Sequence, residues 1–248
     1  MKKLFALTLL FCALSCFYSA RAAENDELLA KIKVIRENKI AGTFERVSPD
    51  TLKFEGYIDK DSYQKYRMYI DDDVTTFIIN SPGGDTNSGV KMGLDMLTRN
   101  LNVVIEGVAA SSAANYLFLA GARKTIKQGF VGFHGNSQAL VADAGGFDGL
   151  KEDMRQQYKV TNEYFEKFKK EIEESIALEK EFYGRLDISQ DLFDITQEPG
   201  KGMPVEEGQG FDFLLPSPDT MKRFGIKNVY GHQDVGFAED LGIKVIYY

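Results

Sequence analysis

Apolar runs along this chain are short, and most of them stop at a turn-forming residue. Residues 74–80 (VTTFIIN) are β-branched and apolar, the pattern of a strand buried on both faces. They run into Ser81-Pro82-Gly83-Gly84, where one proline and two glycines enforce a turn. Residues 88–99 then place Val90, Met92, Gly93, Leu94, Met96 and Leu97 at helical spacing. The spacing predicts a strand over 101–106, a helix over 112–119, and two short strands over 124–126 and 130–133. An earlier strand is expected over 51–58 and a last one over 243–248. Strand and helix alternate, which predicts an α/β fold with a mainly parallel sheet and right-handed crossovers.

Further along, residues 147–186 read as one long helical stretch, with Leu150, Met154, Tyr158, Phe165, Phe168, Ile172, Ile176 and Tyr183 recurring at three- and four-residue steps. The pattern fits a surface helix packed on the domain, or a projecting helix that packs on another subunit. Residues 196–210 (TQEPGKGMPVEEGQG) read as a loop rich in Gly, Pro and Glu, long enough to serve as a lid or specificity element. Residues 24–39 form a charged, weakly amphipathic helix or leader. The expected division is a signal peptide over 1–22, an N-terminal leader over 23–50, and one main domain over 51–248.

The signal peptide is read from Lys2 and Lys3, a short apolar segment over 4–17, and Ala20-Arg21-Ala22 as a small-x-small cleavage site. Export to the periplasm or medium follows; a lipid-anchored form through Cys16 is the weaker alternative. Both cysteines, Cys12 and Cys16, fall in that segment, so the mature chain is expected to hold no disulfide, cysteine nucleophile or thiolate metal site. Loss of three basic residues with the segment takes the formal charge from −7 to −10, a poor match to nucleic acid. Two distant histidines leave no metal-site pattern, and Asp71-Asp72-Asp73 reads as a solvated turn. No cofactor is expected.

The candidate chemistry lies in Ser112 and His134. A serine becomes a nucleophile when a base takes its proton, and histidine is the usual base. Ser112 would lead a helix whose free N–H groups and dipole favour negative charge. The N–H of Ala113, and that of Gly84 in the Gly-Gly turn, could hold an oxyanion. His232 lies in a polar turn and reads as a surface residue.

The order of these pieces resembles the Clp-fold serine peptidases, the broad family of the Clp protease proteolytic subunit and signal peptide peptidase A. They read Ile79-Asn80-Ser81-Pro82-Gly83-Gly84, Gly107-Val108-Ala109-Ala110-Ser111-Ser112, Ala120-Gly121-Ala122 and Val131-Gly132-Phe133-His134, closely over residues 74–136 and loosely elsewhere. The resemblance implies a Clp/crotonase-like spiral of ββα units, assembly into a homo-oligomer through the long helix, and a peptide or unfolded polypeptide as substrate. An ATP-driven unfoldase is not expected outside the cytoplasm. Counting from Gly107 favours Ser111 as nucleophile. Counting back along a helix of fixed rise from Ala120-Gly121-Ala122 favours Ser112, which is preferred, with Ser111 the alternative. For the third member, Asp212 before Phe213-Leu214-Leu215-Pro216-Ser217-Pro218-Asp219 matches the family's aspartate segment, and Asp194 is the alternative. Signal peptide peptidases use a lysine base, but neither Lys124 nor Lys127 sits in the matching context. Two other readings stay open: an inactive Clp-fold binding or scaffold protein, and a crotonase-like acyl-CoA enzyme.

Overall fold

The computed structural model describes residues 25–197 and 211–248. The expected signal peptide and nearly all of the 196–210 loop lie outside the described residues. Six strands form the main sheet in the order β1-β2-β3-β4-β5-β7. β1 (Thr43–Ser48) pairs antiparallel with β2 (Thr51–Glu55). β3 (Thr76–Ser81), β4 (Asn102–Ala110), β5 (Lys124–Gly132) and β7 (Val229–Gly231) continue the sheet in parallel. A second, two-stranded parallel sheet of β6 (Phe213–Leu215) and β8 (Val245–Tyr247) joins the first through a Phe133–Leu214 bridge. The mainly parallel α/β reading therefore holds.

Several boundaries differ from expectation, each for a local reason. The β1–β2 pair crosses the expected 50/51 boundary, and α1 (residues 25–38) buries Ile32 among Val108, Ala110, Phe130 and Leu215. The leader is thus part of the same body. The segments 124–126 and 130–133 are one strand, because a register shift opposite Ile105 and Glu106 absorbs the polar Lys127 without ending the ladder. β4 and β5 approach closely at Gly107 and Gly129, where a Cβ on Gly129 would sit 1.7 Å from the Gly107 carbonyl oxygen. Both glycines have positive φ, 119° and 84°, so neither position tolerates a side chain.

The long helical stretch is two helices, α5 (Phe147–Tyr158) and α6 (Asn162–Leu186). Lys159 turns left-handed at φ 55° and Thr161 caps α6 by accepting from the Tyr164 N–H, which breaks the run. α6 packs along α3 (Thr86–Arg99) and buries Ser175, Glu179, Phe182 and Tyr183. Its C-terminal half is therefore a surface helix packed on the domain rather than a projecting one. Gly93 of α3 makes room: a Cβ there would stand 2.9 Å from the Phe182 ring. Asp71 and Asp72 of the acidic turn pair with Arg46 and Arg99.

Lys124 opens β5 and is 5% exposed. Its ammonium donates to the carbonyl of Gly121 at 2.6 Å and that of Lys227 at 3.3 Å. Burial pushes its pKa down to about 8 from 10.5. The unfolded chain therefore holds this proton more tightly, and folding stability rises with pH between those two values. Urea unfolding of the wild type and Lys124→Met at pH 8 and 10 is expected to show a rise in the wild type that the variant lacks, at most about 1.4 kcal/mol per pH unit.

Candidate active site

β4 delivers the chain to a sharp turn. Ser111, the residue after its last, adopts the left-handed conformation at φ 55°, which costs a non-glycine residue about 1 kcal/mol. Its N–H donates to the Gly132 carbonyl at 3.0 Å, extending the β4–β5 ladder by one bond. Ser112 then turns right-handed and the helix Ala113–Phe118 begins. β5 ends at Gly132, opposite Ala110, so Ser111 and His134 emerge at the same edge of the sheet. The Ser111 Oγ and the His134 Nε2 lie 2.6 Å apart.

Ser112, the preferred serine of the sequence reading, faces elsewhere. It is 4% exposed and its hydroxyl donates to the Gly84 carbonyl at 2.9 Å, which ties the helix start to the Gly-Gly turn. The count that favoured it assumed α-helical winding. Residues Ala113–Phe118 are wound as a π-helix, which takes up one extra residue and moves the count by one position.

His134 reaches Ser111 in a defined tautomer. Its Nδ1 lies 2.6 Å from the Gly135 carbonyl oxygen, which can only accept, so Nδ1 carries the proton and Nε2 receives the Ser111 hydroxyl. Burial lowers the imidazole pKa below 6.5, while the bond to Gly135 pulls it back up in part. The Phe213 ring stacks on the imidazole, with centroids 5.7 Å apart and planes inclined by 28°.

Neither expected carboxylate joins this pair. Asp212 is exposed and its Oδ2 accepts from the Lys244 N–H at 2.8 Å. Asp194 is exposed on the short helix α7 (Asp191–Gln197) and accepts from the Gln190 amide at 3.0 Å. Among the described residues no carboxylate hydrogen-bonds to His134. The segment after Asp212 does reach the site, one residue later than expected. Side chains of an extended chain alternate in direction, so Phe213 faces the histidine and Asp212 faces away.

The Gly-Gly turn packs on the serine. A Cβ on Gly83 would lie 2.6 Å from the Ser111 Cβ and 2.9 Å from the Ser112 nitrogen. The bridge between Ile58 and Gly84 uses the Gly83 carbonyl and the Asp85 N–H, so it leaves the Gly84 N–H unspent. At the helix start the first backbone bond runs from the Asn115 N–H to the Ser111 carbonyl at 2.8 Å, which leaves the N–H groups of Ser112 and Ala113 ahead of it. With Ser111 at the edge, Ser112 rather than Ala113 is the residue that follows the hydroxyl.

A buried carboxylate stands behind both elements. Glu179 of α6 is 2% exposed. Its Oε1 accepts from the Tyr116 hydroxyl at 2.5 Å and from the Ser137 N–H at 3.1 Å. Its Oε2 is buried without a partner among the described residues. Burial pushes this carboxyl up against the opposing pull of those two donors. No signal in the sequence separates position 179 from the other glutamates of that helix. No group of three or more His, Cys, Asp or Glu is arranged to hold a metal among the described residues. No family model and no curated protein matches the chain.

The left-handed turn gives the two serines different stability signatures. Ser111→Gly relieves the backbone strain but loses the bond to His134 and adds chain entropy, so its stability in urea unfolding is expected to stay within about 1 kcal/mol of wild type. Ser112→Gly is expected to lower it by about 1–2 kcal/mol, through a lost buried hydrogen bond and added chain entropy.

Proposed function

We propose that this protein is an exported serine hydrolase acting on peptide bonds, with Ser111 as nucleophile and His134 as base. The observation that carries this reading is the hydrogen bond from Ser111 Oγ to His134 Nε2, made by a serine in a left-handed turn beside a Gly-Gly segment. Strained non-glycine residues of this kind concentrate at functional sites. The Clp-like spiral that the motif order implies is part of the same proposal, as is peptide or unfolded polypeptide as substrate. Export rests on the signal-like segment over residues 1–22.

In this reading Ser111 Oγ attacks the carbonyl carbon and its proton passes to His134 Nε2. The carbonyl oxygen becomes an oxyanion that the N–H groups of Ser112 and Gly84 stabilise. The imidazolium gives its proton to the leaving amine as the C–N bond breaks, leaving an acyl-serine. Water, deprotonated by His134, then releases the acid and restores the hydroxyl. The Gly135 carbonyl takes the orienting place usually held by an aspartate. A neutral carbonyl stabilises the imidazolium less than a carboxylate does, so a slower enzyme than a full triad is expected.

A fluorophosphonate probe is expected to label the protein, and Ser111→Ala to abolish labelling. Ser112→Ala should slow it by only about threefold, through the lost tie to Gly84. Asp212→Asn should change the rate by less than about twofold, as its carboxylate accepts from the Lys244 N–H and not from the histidine. Labelling that survives Ser111→Ala would sink the assignment. The wild type failing to label altogether favours the binding or scaffold reading.

The pH dependence follows from the lowered histidine pKa. His134 stays neutral, and able to accept a proton, to a lower pH than an exposed histidine. The labelling rate is expected to fall on the acid side with a midpoint below 6.5. A midpoint at or above that value would contradict the buried, carboxylate-free environment.

A further inference from the structure

The catalytic pair sits on two separate segments, and one buried side chain joins them. Tyr116 belongs to the π-helix that starts just after Ser111. Ser137 opens α4 (Ser137–Asp143), two residues beyond the Gly135 whose carbonyl holds His134 Nδ1. A single oxygen, Glu179 Oε1, accepts from both. The rest of the 134–137 turn is fastened in the same region. Asn115 donates to the His134 carbonyl at 3.2 Å, and Asn136 caps α4 through the Ala139 N–H at 2.9 Å. The orientation of the Gly135 carbonyl is therefore set by a turn that Glu179 anchors at its far end.

We propose that Glu179 is the positioning residue of this site, clamping the serine-bearing helix to the histidine-bearing turn in place of a carboxylate on the histidine itself. This rests on the reading of Ser111 and His134 as nucleophile and base. Glu179 touches neither group, so it acts through Tyr116, Ser137 and the Gly135 carbonyl. A carboxylate is buried at a cost unless its bonds hold something in place. Here its two bonds cross between elements that also meet at the Ser111–His134 contact, the Asn115–His134 bond and the Phe118–Phe133 ring contact. The other titratable groups around it are Tyr116 and Tyr183, both held well above their ordinary range by burial and so silent near neutral pH.

Two readouts on the full chain test this: the fluorophosphonate labelling rate per folded molecule, and the His134 titration by NMR. Two histidines are present in the sequence, and His232→Asn assigns the signals. Glu179→Ala frees the turn, so the rate is expected to drop by about tenfold or more while the histidine, newly hydrated, titrates closer to its ordinary value. Glu179→Gln keeps an acceptor oxygen and is expected to stay within about threefold of wild type in rate, with the titration unmoved. If Glu179→Ala does not fold, Tyr116→Phe removes one of the two donors with little change in volume and is expected to slow labelling by about threefold. A folded Glu179→Ala or Tyr116→Phe with wild-type rate and titration overturns the proposal, as does a Gln variant no better than Ala. A wild type that fails to label removes the serine reading instead. The titration still reads the clamp, and a shift there in Glu179→Ala supports it.

Discussion

The distance between Ser111 and His134 depends on how two parallel strands end. β4 and β5 lie side by side, and Ala110 pairs with Gly132 as their last rung. One more backbone bond, Ser111 N–H to Gly132 carbonyl, carries the pairing past the strand end. Anything that changed this register by one residue would point the serine or the histidine to the other face of the sheet. The Gly107–Gly129 approach and the irregularities beside it fix where the final register falls. Asn80 fills the space beside Gly107 and accepts from the Val108 N–H, so the β4 irregularity is a specified feature with its polar groups satisfied.

The strand ends that carry the pair are well covered. Residues 107–110 of β4 and 129–132 of β5 are all but fully covered, and Phe213 lies over the imidazole. In such surroundings a neutral histidine is favoured over a charged one, which suits a resting base. In the proposed reaction, stabilising the charged form would fall to the Gly135 carbonyl and to the fixed dipoles of the turn.

How much of this could be read from the residues alone varied with the range of the interaction. The strand expected at 74–80, found at Thr76–Ser81, the break after it at Pro82-Gly83-Gly84 and the emergence of His134 from an apolar strand all follow from local patterning. The β4–β5 irregularities were not legible, because they depend on a cross-strand glycine pair and not on either segment by itself. Ser111 and Ser112 could not be separated by counting, since the count needs the helical winding and the winding is set by packing against α3 and α6. Asp212 was drawn from a stretch that does approach the histidine, but a strand's alternation decides which neighbour faces it. Glu179 was invisible for a related reason: its burial comes from a helix docking far along the chain from the serine.

The π-wound turn after Ser112 has an implication for sequence change in this region. Such a turn is a one-residue insertion that the surrounding packing retains, and a straight α-helix turns by about 100° per residue. Deleting a single residue between 113 and 118 would let the helix relax to ordinary winding while rotating everything ahead of it by that angle. Ser112 would then move toward the place that Ser111 holds, with Ala113 taking the place of Ser112, so a protein one residue shorter could present the neighbouring serine at the same edge. Two adjacent serines thus keep a hydroxyl at this edge under either winding of the helix.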